Sequence, residues 1–105
     1  NDMRNGSGVY IYKNGNRYDG ERKDHVKSGH GVFYYRNGDR YDGGFVDSMK
    51  NGHSIFYYRN GDIFEGEWRN DMRNGEGILN CKDGRKKRQI WKNDKLISEE
   101  LLETA

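Results

Sequence analysis

Laid against itself, the sequence matches at an offset of 23 residues, and three windows, 18–40, 41–63 and 64–86, align without a gap. Residues 1–17 match the last 17 positions of a window, since Asn1-Asp2-Met3-Arg4-Asn5-Gly6 recurs as Asn70-Asp71-Met72-Arg73-Asn74-Gly75. The chain therefore opens mid-repeat. Residues 87–95 keep only Trp91 in register with Trp68, Phe45 and Arg22, while Lys87 and Gln89 stand where earlier copies carry an aromatic and a glycine. A unit of 23 residues cannot bury a core alone, so it must stack on its neighbours.

Glycines mark the register. The columns are Gly6/Gly29/Gly52/Gly75, Gly15/Gly38/Gly61/Gly84 and Gly20/Gly43/Gly66, with a fourth, Gly8/Gly31/Gly77, broken by Ser54. The second sits in Asn14-Gly15, Asn37-Gly38, Asn60-Gly61 and Asp83-Gly84, dipeptides that accept positive φ at both positions of a type I′ turn, so a tight hairpin is expected at each. Val32-Phe33-Tyr34-Tyr35-Arg36 and Asp39-Arg40-Tyr41-Asp42-Gly43 flank one such turn as strands. Strand alternation puts Gly31, Phe33 and Tyr35 on one face and Val32 and Tyr34 on the other, and gives Tyr41, Gly43 and Phe45 a shared face. Rings of one strand are expected to lie over the bare glycines of its neighbours. Polar connections such as 70–74 close each repeat on the opposite rim.

The predicted fold is all-β: an elongated, twisted, single-layer antiparallel meander of eight or nine strands over residues 1–95, about 40 Å long. Residues 96–105 form a tail, in which Ser98-Glu99-Glu100-Leu101-Leu102-Glu103 reads as a short capping helix with a Ser N-cap.

Composition fits a folded aromatic sheet. Leu, Ile, Val and Phe account for only 18 of the 105 residues, yet eight Tyr, four Phe and two Trp are present and the formal net charge is just +2. Fifteen glycines and no proline argue against a helical bundle. The near balance of 19 basic and 17 acidic residues argues against steering onto nucleic acid. No stretch approaches the roughly 20 apolar residues of a membrane span. The single Cys81 gives no internal disulfide, so an intracellular, cytoplasmic location is expected.

The motif aromatic-x-Gly-x-aromatic followed by Gly-x-Gly resembles the MORN (membrane occupation and recognition nexus) repeat. Its best copy is Phe64-Glu65-Gly66-Glu67-Trp68 with Asn74-Gly75-Glu76-Gly77, and His30 and His53 look like the family's histidine beside its repeat glycine. The resemblance covers residues 1–86 well and 87–95 weakly. It implies a scaffold or adaptor of the kind found in cytoskeletal, ciliary and membrane-junction assemblies, or beside lipid kinases and methyltransferases.

Reactive chemistry has weak signals. Asp19, Glu21, Asp42, Glu65 and Glu67 alternate with the rings and glycines, and read as solvated charges that keep sheets from stacking. Cys81 shares a column with Tyr12, Tyr35 and Tyr58 and reads as a small hydrophobe. His30 and His53 read as hydrogen-bonding groups, with no further zinc ligands evident. No catalytic residue, metal or cofactor is expected.

The binding candidates lie elsewhere. Val9, Val32, Ile55 and Ile78 share a column, and with Ile11, Tyr34 and Tyr57 they form a stripe on which a partner helix or extended peptide can dock. The alternatives are an acidic phospholipid surface meeting Arg85, Lys86, Lys87 and Arg88, a regulatory segment of a larger enzyme, or edge-to-edge dimers through the first strand.

Overall fold

Each repeat contains two runs that alternate rings or glycines with charged or aliphatic residues, and each run becomes a strand. The computed structural model describes residues 6–102, in which the strands are β1 (Gly6–Ile11), β2 (Arg17–Lys23), β3 (Val26–Tyr34), β4 (Arg40–Val46), β5 (Met49–Lys50), β6 (Gly52–Tyr57), β7 (Ile63–Arg69), β8 (Met72–Asn80), β9 (Lys86–Lys92) and β10 (Lys95–Leu102). They build one antiparallel sheet in chain order, with β5 paired to β4 off the main path. The molecule measures 52 × 23 × 23 Å. The elongated antiparallel meander is thus the observed architecture.

The expected capping helix is not formed. Ser98 to Leu102 is the body of β10, paired with Ile90 to Lys86, while Glu103 lies outside the described residues. Half a dozen residues gain little from an isolated helix, whereas pairing satisfies the open ladder of β9.

The register aligns the rings across the sheet. Tyr10, Tyr18, Phe33, Tyr41, Phe56, Phe64 and Leu79 form one transverse row. Two residues along the strands lies the glycine row, including Gly20 opposite Gly31 and Gly66 opposite Gly77. A Cβ at Gly31 would stand 2.5 Å from a carbon of the Tyr18 ring, and one at Gly77 closer still to the Phe64 ring. Glycine is a socket for a ring, as the alternation predicts. Where Ser54 breaks the column, its hydroxyl meets the Tyr41 hydroxyl at 2.6 Å. Tyr18, Tyr41 and Phe64 are fully buried, and burial pushes the two phenols up to about 12.

The turns reverse the expected assignment. At the Asn-Gly sites only the glycine has positive φ. Gly15 N–H donates to Tyr12 O and Tyr12 N–H to Asn16 O, giving a type I turn with a glycine bulge, repeated at Gly38, Gly61 and Gly84. The two-residue loops with positive φ at both positions lie on the other rim, at Asp24-His25, Asp47-Ser48, Asn70-Asp71 and Asn93-Asp94.

Both rims stitch neighbouring repeats together. Lys50 N–H donates to the Asp71 carboxylate at 2.7 Å while Asp71 N–H donates to Lys50 O at 3.0 Å, and Ser48 with Lys27 and Asp94 with Arg73 repeat the bracket. On the opposite rim Asn16, Asp39 and Asp62 accept from the backbone N–H of Arg36, Arg59 and Lys82. The same columns also carry cations over the ring face. Lys27 Nζ lies 5.2 to 5.8 Å from the ring centroids of Tyr12, Tyr18, Phe33 and Phe45. Lys50 Nζ meets the Tyr35 hydroxyl at 3.0 Å, and Arg73 meets that of Tyr58 at 3.2 Å. Burial depresses the Lys27 ammonium below its ordinary value.

Past residue 86, polar groups occupy this face. Buried Gln89, in the glycine row, donates to Glu99 at 2.8 Å and accepts from the Trp91 indole at 3.0 Å, while Lys87 pairs with Glu99 at 3.6 Å. Trp68, which has Gly66 in the equivalent place, keeps its buried indole N–H without a partner among the described residues.

Candidate functional site

With the rings committed to one face, strand alternation sends a different set of side chains to the other. One transverse row there reads Ile11, Arg17, Tyr34, Arg40, Tyr57, Ile63. The adjacent row reads Val9, Asp19, Val32, Asp42, Ile55, Glu65, Ile78 and Arg88. Val32, Tyr34, Ile55 and Tyr57 are half-buried, whereas Ile11 is 77% exposed. The structure therefore brings the five residues expected to bind a partner onto one surface, in two neighbouring rows.

The tyrosines of this surface do not stand alone. The Arg17 guanidinium lies 4.2 Å from the Tyr34 ring centroid and that of Arg40 lies 4.0 Å from Tyr57. Sequence reasoning passed over both arginines. Their signal was present, because Arg17 and Arg40 occupy one repeat column two residues beyond the turn glycine, but the register that places them against Tyr34 and Tyr57 emerges only with the strand pairing. A shallow depression of about 350 Å³ opens here, lined by Tyr34, Arg40 and Tyr57 with the turn residues Gly38 and Asp39.

A third row carries the histidines, where His30 Nε2 lies 3.0 Å from Asp42. His53 is held between Glu65 and Glu67, each at 2.9 Å, and these carboxylates raise its imidazole above the ordinary value. In the next repeat the charges swap sides, with Glu76 facing Arg88 at 3.3 Å. The column is a run of surface ion pairs. The group Asp19, Glu21, Asp42, Glu65 and Glu67 thus projects away from the rings, as expected, with three of its members spent on histidines.

The basic run is split. Arg85 pairs with Asp83, Lys87 turns to the ring face and Glu99, and Arg88 bridges Glu76 and Glu100. Lys86 alone of the four has no carboxylate partner among the described residues. Cys81 is a half-buried free thiol. Among the described residues no helix is long and apolar enough to cross a membrane.

Comparison with known families supplies the deciding observation. The MORN repeat model matches four segments, 1–17, 18–40, 41–63 and 64–84, with internal boundaries at the repeat divisions found above. The chain belongs to the MORN repeat family. Curated proteins give no match to it. MORN repeats are non-enzymatic modules that generally serve as scaffolds contacting proteins or membranes. In this MORN sheet the repeated glycines and aromatics build the interior, and the opposite face is the one carrying Tyr34, Tyr57 and their arginines.

Proposed function

We propose that the chain is a non-catalytic, protein-binding scaffold that docks a helix or extended segment of a partner on the Val32, Tyr34, Ile55 and Tyr57 surface. Its setting is the cytoplasm, in a cytoskeletal or ciliary assembly. The observation carrying this reading is the second face itself: an aliphatic and tyrosine stripe left half-exposed by a sheet that has no second layer among the described residues. A lipid-binding role for Arg85, Lys86, Lys87 and Arg88 draws less support, because three of these four cations are already paired and the side chains divide between two faces.

The test is partner capture. Affinity pull-down with mass spectrometry identifies the partner, and its affinity is then measured for Tyr34→Ala and Tyr57→Ala. Each variant is expected to weaken binding about tenfold or more while unfolding stays cooperative, in line with truncation of an aromatic anchor. Unchanged affinity in both variants removes the surface from the account.

A further inference from the structure

The charges of the docking surface are unequally satisfied. His30, His53 and Arg88 face carboxylates at 2.9 to 3.3 Å. Arg17 and Arg40 have no carboxylate partner among the described residues, and each guanidinium carbon lies over a tyrosine ring, 4.2 and 4.0 Å from its centroid. The Arg40 Nε is buried without a hydrogen-bond acceptor among the described residues. A guanidinium stacked on a ring keeps its edge free, with its donors in the plane that a carboxylate grips, and its side-chain entropy is already restricted. The terminal guanidinium nitrogens, not the buried Nε, are the donors that a partner's carboxylate reaches.

Spacing narrows the partner. Arg17 on β2 and Arg40 on β4 are one repeat apart, as are Val32 on β3 and Ile55 on β6. One repeat is two strand spacings, about 9.6 Å. Seven residues of α-helix advance about 10.5 Å. A helix lying along the long axis of the sheet therefore meets equivalent positions once every two turns, whereas an extended peptide advancing about 3.3 Å per residue would meet them every third residue, on alternating faces. We infer that the occupant of this surface is an acidic amphipathic helix, with an apolar side chain every seven residues on Val32 and Ile55 and carboxylates seven residues apart on Arg17 and Arg40. Asp19, two residues from Arg17, has no ion pair among the described residues, whereas the equivalent Asp42, two residues from Arg40, is held by His30 at 3.0 Å, so Arg40 carries the larger share of the selectivity.

The inference rests on the docking reading above, and the experiment separates the two. Three stapled helical peptides of three heptads share leucines at the apolar positions and carry Glu, Gln or Lys at the flanking positions. They are titrated against the whole chain by fluorescence anisotropy at low and high salt. The Glu peptide is expected to bind at least tenfold tighter than the Lys peptide, with the difference shrinking at high salt. Arg17→Gln with Arg40→Gln removes the preference without changing the melting temperature greatly, and the corresponding Lys pair restores part of it. Equal affinity for all three peptides, tighter binding of the Lys peptide, or no binding of any overturns the inference. If all three bind equally and Ile55→Asp abolishes them, the docking surface stands without its acidic selectivity; if Ile55→Asp changes nothing, the surface itself is wrong.

Discussion

A methyl group added at Gly31 would enter the ring of Tyr18, which is fully buried and anchored by its hydroxyl donating to Glu21 O at 2.7 Å. Gly31→Ala is expected to destabilise the sheet by about 1 to 3 kcal/mol, as overpacking does. The diagnostic quantity is the coupling: in urea titrations Tyr18→Ala should cost markedly less in the Gly31→Ala background than in the parent chain, because the clash disappears with the ring. Strictly additive effects would mean the ring is not seated on the glycine. His53 offers a second test at this scale. Glu65 and Glu67 raise its imidazole above 6.5, so the folded chain holds the proton more tightly than the unfolded one. The resulting stability is complete below the unfolded value and disappears as pH rises through the raised folded value. Melting temperatures should fall slightly between pH 6 and 8, and His53→Gln should flatten that slope; the pair is exposed, which keeps the effect small. The seating of rings on glycines was legible from alternation and column membership, whereas the partners of His53 were not, because Glu65 and Glu67 read as solvated charges. The Arg17 and Arg40 stacking was not, since it joins residues of different columns through cross-strand register.

Between strands, the two rims divide the labour. The type I turns with glycine bulges form one edge, and the two-residue positive-φ loops form the other, where Asp71 both reverses the chain and brackets Lys50 of the preceding repeat. Asp71→Ala loses the acceptor and places an alanine at φ 69, so a loss of about 1 to 2 kcal/mol is expected in denaturant unfolding. Asp71→Asn keeps an oxygen in place and tolerates the left-handed backbone, and should stay close to the parent. Equal losses in both variants would remove the bracket from the account. Asn-Gly is a strong hairpin signal, but the same dipeptide serves two turn types, and the difference lies in whether Asn14 or only Gly15 takes positive φ. β10 was hidden for a related reason. Ser98 followed by acidic residues favours a helix start locally, and only the unpaired edge of β9 decides for a strand.

Over the whole molecule, the 23-residue beat sets everything that repeats: the meander, the ring row over the glycine row, and a second face striped in register with the first. What does not repeat had to be seen. Gln89 and Glu99 close the ring face at the C-terminal end with hydrogen bonds that exist only because β10 pairs there. Buried Gln89 thus fills with a hydrogen-bonded amide a place in the glycine row that the earlier repeats leave to rings. The functional claim depends on the contrast between the two faces. It is tested most directly by methyl-labelled NMR of the chain titrated with the acidic helical peptide or the recovered partner. The methyl resonances of Val32, Ile55 and Ile78 are expected to shift together while that of Leu79, which packs against the rings on the other face, stays in place. Shifts confined to Leu79 and the ring protons, with the three stripe methyls unmoved, would contradict it.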